Sequence, residues 1–228
     1  MTLTAATGRV PTGETTPAGR VRTTRALLAC GAAAGPAFIV VGVAQAALRP
    51  GFDPVKHPLS LLSVGDPGWI QIANFVLAGL AFLAGAVGVR RALHPGRAGT
   101  WGPVLYAVFG VSLVAGGVFV ADPGLGFPPG TPDGIPAETS WHSTVHSVAP
   151  VTGFLALTVV CFVFARRSAS QRRRGWAAFS VATGVLVQVL GGVSGATLNF
   201  LPMWAAMVLG FGWPSAQLAR VRAELPSA

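Results

Sequence analysis

Two histidines four residues apart, His142 and His146, are the residues in this chain best suited to chemistry. At that spacing both imidazoles project from one face of a helix, close enough to ligate one metal ion. Ligation needs the neutral ring, and a helix N-terminus, with its partial positive charge, keeps a histidine there neutral. Ser140 is a good N-cap two residues ahead of the pair. Two further residues extend the set. Asp122 is expected at the C-terminal end of an apolar run, where the helix dipole disfavours a carboxylate, so a cation, a metal or hydrogen bonds should compensate it. His57 is held extended by Pro58. His57, Asp122, His142 and His146 would make a tetrahedral zinc site, or a three-ligand site with water in the fourth position, and Ser60 or Glu138 would then assist proton transfer.

The elements that position these residues read as membrane spans. The chain is 52% hydrophobic and 10% charged, against about a quarter charged in a soluble domain. Crossing the bilayer takes about 20 apolar residues. Six runs qualify, at about 26–48, 69–89, 101–121, 140–165, 175–198 and 203–219, so the expected fold is an all-α, six-helix transmembrane bundle. Residues 1–25 read as a disordered basic tail without the apolar core of a signal peptide, and 221–228 as a short basic tail. Pro36 is expected to bend the first run. Gly31-x-x-x-Gly35 and Gly191-x-x-x-Gly195 offer small faces for close helix contact. The prolines at 50, 54, 58 and 67 forbid a long helix between the first two runs, leaving a short interfacial or re-entrant segment near Pro58–Val64.

Charge orients the bundle. With both termini inside, fourteen of the sixteen basic residues fall on the cytoplasmic side; only Arg49 and Lys56 are outside, together with five of the seven acids. This is the positive-inside pattern of a multi-pass protein of the bacterial plasma membrane, and it places all the candidate site residues on the outer face. The arginines flank apolar runs rather than forming one face, which argues for the bilayer as partner and against nucleic acid. Cys30 and Cys161 lie inside apolar runs and read as small buried hydrophobes.

Several motifs are similar to a known family. His57-Pro58-Leu59-Ser60-Leu61-Leu62-Ser63, then Gly68-Trp69-Ile70-Gln71-Ile72-Ala73-Asn74-Phe75, resemble the domain of unknown function 998 family. So do Val118-Phe119-Val120-Ala121-Asp122-Pro123, Gly126-Phe127-Pro128-Pro129-Gly130, and Trp141-His142 with His146. The resemblance implies a prokaryotic integral membrane protein and brings no activity with it. A looser chemical analogy is to the alkaline ceramidase and progestin/adipoQ receptor membrane hydrolases, which use a Ser, an Asp, a lone His and a His-x-x-x-His pair near one membrane face. Here Ser60, Asp122, His57 and His142/His146 supply those types. Their order departs from that superfamily, which has seven spans and whose lone His follows its Ser.

Two readings of function follow. One is hydrolysis of a lipid-like substrate by a His/Asp metal site on the outer face. The other is a non-catalytic membrane protein that binds a small molecule, lipid headgroup or protein partner through its outer loops. Gln71 and Asn74, three apart on one helix face, either bond between helices or line a polar cavity. Gln188 is the one strongly polar side chain expected in mid-span, with no buried carboxylate or lysine, which argues against proton-coupled transport.

Overall fold

The computed structural model describes residues 17–226. Six helices follow one another: α1 (Pro17–Leu48), α2 (Gly68–Leu93), α3 (Arg97–Val118), α4 (Trp141–Ser170), α5 (Arg174–Thr197) and α6 (Leu201–Ala223), with one 3-10 turn over Leu59–Ser63. The 3-10 turn falls where the prolines leave room for a short segment only. The five helices α1 to α5 are long and apolar enough to cross a membrane. α6 is less apolar, with Pro202, Trp204, Trp213, Pro214 and Gln217 along its length and Arg220 and Arg222 in its last turn.

The helices form a closed ring in chain order. Each packs on its predecessor, α6 returns to α1, and α2 also touches α6. Lipid chains are as apolar as leucine, so burial from water does not hold such helices together; close packing and interhelical hydrogen bonds do. Packing is supplied by an aromatic layer at mid-bundle. The rings of Phe38 and Phe211 stack at 4.0 Å and 2°, and Phe82 and Phe109 meet Phe211 at 6.1 and 5.6 Å. Close approach is supplied at Gly31 and Gly35. A Cβ at Gly31 would stand 3.0 Å from the Gly85 Cα, and one at Gly35 would collide with the Phe211 carbonyl. Gly35 also donates its N–H to Ser215 Oγ across the α1–α6 seam at 3.0 Å, immediately before Pro36.

α5 is held differently. It contributes no residue to the main apolar core. Polar contacts attach it: Gln188 Nε2 donates to the Phe154 carbonyl and Thr158 Oγ1, and Trp213 Nε1 donates to Ser180 Oγ. Gln188, expected alone in mid-span, is therefore a strut between α4 and α5. The Gly191-x-x-x-Gly195 face does not do what its spacing suggests, since a Cβ at either glycine meets nothing within 4 Å.

Helix ends differ from expectation at α1 and α6. α1 begins at Pro17, so residues 17–25 of the expected tail are helical; residues 1–16 lie outside the described residues. Proline is well tolerated at the first helical position, and the Ala- and Arg-containing segment after it sustains a helix. Arg25 Nη1 then reaches the carbonyls of Leu225 and Pro226, each at 3.2 Å, beyond the end of α6. α6 continues to Ala223, past the expected end near 219.

Candidate functional site

The loops 49–67 and 119–140 come together at one end of the bundle, the histidine end. A small apolar cluster of Leu61, Val64 and Phe127, flanked by Phe52, Val120, Ala121 and Leu125, makes them one cap. Arg49, just past α1, fastens that cap. Its Nη1 and Nη2 donate to the carbonyls of Leu62 (2.8 Å) and Val64 (2.6 Å), and its guanidinium lies 5.0 Å from the Phe127 ring centroid. The 3-10 turn cannot satisfy these carbonyls itself, which is why a forked cation is suited to the position.

His57 is buried at the centre of the cap. Its Nδ1 accepts the Asp53 backbone N–H at 2.9 Å, so the proton of the neutral ring sits on Nε2 and is donated to the Leu125 carbonyl at 2.9 Å. The His57 carbonyl accepts the Trp204 indole N–H at 3.3 Å, and the ring packs between Phe52 and Phe127. One residue thus joins the first loop, the second loop and α6.

His146 is also buried. Its Nδ1 lies 3.0 Å from the Gly116 carbonyl and 2.8 Å from the Phe119 carbonyl, so it carries the proton and satisfies two acceptors at the C-terminal end of α3. His142 is exposed instead, stacked on Trp141 with centroids 3.6 Å apart. Asp122 lies in the loop after α3 and closes on the start of α4. Its carboxylate accepts the Ser140 Oγ–H and the Ser140 N–H, both at 2.7 Å, while Ser140 Oγ accepts the Ser143 N–H. The compensation its position requires comes from these bonds. The Ser140 hydroxyl and then the Ser140 amide hold the Asp122 carboxyl below the usual carboxylate range. Ser60 is half-buried in the 3-10 turn, and Glu138 is exposed in the second loop.

The four expected ligands are therefore brought to one end but not to one point. The donor set does not fit a metal ion: both His57 nitrogens and the Nδ1 of His146 are engaged with the backbone, and Asp122 is bonded to Ser140. Among the described residues, no group of three or more His, Cys, Asp or Glu is placed to hold a metal.

Beneath the cap lies a second polar group. Gln45 Nε2 donates to Gln71 Oε1 at 2.7 Å, and Asn74 Nδ2 donates to Gln71 Oε1 at 3.3 Å and to the Phe38 carbonyl at 3.1 Å. Gln71 and Asn74 so bond between helices. Two buried atoms of this group, Gln71 Nε2 and Gln45 Oε1, have no protein partner, and neither has Ser63 Oγ in the 3-10 turn. Sequence reasoning passed over Gln45, Ser63 and Arg49. A glutamine within an apolar run was the available signal for the first. Toward the other end, the Tyr106 hydroxyl, the Thr183 hydroxyl and both amide atoms of Gln217 are likewise buried without a partner.

Five apolar spanning helices in a ring, with polar side chains gathered at both ends, define a multi-pass helical membrane protein. Residues 32–220 match the family described as "Protein of unknown function (DUF998)", and the chain belongs to that family. No curated protein and no solved structure matches it.

Proposed function

We propose that the chain is a non-catalytic multi-pass protein of the plasma membrane that binds a small uncharged polar group, such as a hydroxyl or amide of a lipid headgroup, beneath its outer cap. In this reading α6 is the sixth span, both termini are cytoplasmic and the histidine end faces outward, a topology that the distribution of arginines supports. The observation that carries the binding is the pair of hydrogen-bonded amides Gln45 and Gln71, which leave the donor Gln71 Nε2 and the acceptor Gln45 Oε1 buried without a partner. Each such group costs about 1–3 kcal/mol when buried unpaired, and more where no water reaches. A ligand offering both a donor and an acceptor recovers that cost.

Native mass spectrometry of the protein released from nanodiscs tests this. Wild type should carry a small-molecule or lipid adduct that Gln45→Leu with Gln71→Leu removes. No adduct on wild type, together with a more heat-stable double variant, would show the amides to be unsatisfied scaffold and end this reading. Zinc content separates it from hydrolysis. Wild type and His142→Ala with His146→Ala should hold equal, near-zero zinc; a stoichiometric zinc lost in the variant would reinstate the metal site.

A further inference from the structure

The arginine end carries its own recognition feature, at the elbow between α4 and α5. Glu224 is the one carboxylate there among the described residues, and three arginines share it: Arg167 at 2.7 Å, Arg220 at 3.4 Å and Arg173 at 3.7 Å. Arg220 is further fixed by Ser168 Oγ, Gln171 Oε1 and the face of Trp176. Arg172 and Arg174 stand outside this network. Both are exposed, and no carboxylate among the described residues lies within ion-pair distance of either.

Between them opens a cleft of about 740 Å³ lined by Ala169, Arg172, Arg174 and Ala177. The two alanines leave its walls low. Arg172 takes a left-handed backbone conformation (φ 58°), which turns the chain between the two helices. No side chain caps the N-terminus of α5, which begins at this elbow. Behind the cleft, Val181, Val185 and Val189 continue the Arg174–Ala177 face of α5 at helical spacing, and all three are exposed on the surface that meets lipid chains.

We propose that this elbow is a binding site for the phosphate of an anionic phospholipid, held between the Arg172 and Arg174 guanidinia with its acyl chains along α5. Charge complementarity favours an anion. The apolar face continuing from the cleft favours a lipid over a free ion. A basic pocket between helix ends at a membrane surface is a recognised means of holding such headgroups.

The test uses the full chain in detergent micelles, with phosphatidylglycerol, phosphatidylcholine and inorganic phosphate as probes, read by native mass spectrometry. Phosphatidylglycerol should be retained as one adduct about tenfold more strongly than phosphatidylcholine. Arg172→Gln with Arg174→Gln should abolish the preference, while Arg172→Lys with Arg174→Lys should keep most of it. Arg91→Gln with Arg97→Gln makes the same charge change elsewhere at this end and should leave the preference within about twofold. An equal loss in both glutamine pairs would reduce the effect to general surface charge and overturn the site. Displacement by millimolar inorganic phosphate would overturn the lipid as its occupant. Unaltered thermal melting of the glutamine and lysine variants shows that the protein is folded in these comparisons.

Discussion

At the histidine end, long loops of irregular backbone lie over the bundle, and the conspicuous polar side chains bond to that backbone. Arg49 takes two carbonyls, His57 an amide and a carbonyl, His146 two carbonyls, and Asp122 the amide of Ser140. At the arginine end the connections are three residues or fewer beyond each helix, and the side chains bond mainly to one another: Arg167 and Arg220 to Glu224, Arg220 to Ser168 and Gln171. The difference follows from the loops. Irregular backbone leaves donors and acceptors that must be met near a membrane surface, and side chains of reactive type are drawn into meeting them. Tight turns make no such demand, so their charges remain available for one another and for ligands. Histidine and aspartate at this end therefore take structural partners in the long loops around them.

Four measurements bear on this contrast. Arg49→Ala should be the most damaging, at about 3 kcal/mol, because two charge-assisted bonds and a cation–π contact are lost together. Hydrogen exchange should then rise across 59–67 and 120–136 with little change at the arginine end, and uniform exchange would dissolve the distinction between the ends. Glu224→Gln should cost about 1–2 kcal/mol, less than a buried pair usually does, because Arg220 keeps Ser168 and Gln171. Its cost, read from thermal melts, should shrink in high salt whereas that of Arg49→Ala should not.

Ser140→Ala should cost about 1 kcal/mol by uncapping α4 and releasing Asp122. The pH dependence sharpens it. The Asp122 carboxyl is held below its usual range, so its stabilisation is fully present above the unfolded value of about 3.9 and is lost as pH falls through the lower folded value. Acid melts of wild type should therefore decline below about pH 4, and Asp122→Asn should flatten that limb. The smallest effect is a gain. Gly191→Ala should stabilise by about 0.5 kcal/mol, since its Cβ meets open space and the helix is stiffened. Gly35→Ala, one seam away, should do the reverse.

The helices were legible because five of the runs are apolar for long enough to leave no other reading. The start of α1 was not, because nothing in 17–25 distinguishes a basic tail from a basic helical extension; the contact of Arg25 with Leu225 and Pro226 is between residues some 200 positions apart. The expected site residues lie at one end of the molecule, and His57, Asp122 and His146 are fixed there by hydrogen bonds. Their partners were not legible. Leu125 and Phe119 contribute carbonyls, which every residue has, so no side-chain pattern marks them. Gln45 was missed for a related reason: its importance comes from facing Gln71 across the α1–α2 contact, a fact of packing rather than of spacing.

The ring order has a consequence for biosynthesis. Neighbours along the chain are neighbours in space at every seam but one, so α1 to α5 can assemble pairwise as each leaves the translocation machinery. The seam between α1 and α6 joins two helices separated by the whole of α2 to α5. Until α6 arrives, the close-approach surface at Gly35 lacks its partner, and the ring of Phe38 has Phe75 of α2 but not the stacked Phe211. The α1–α6 seam is therefore the contact that closes the ring, and it can form only after α6 has been made.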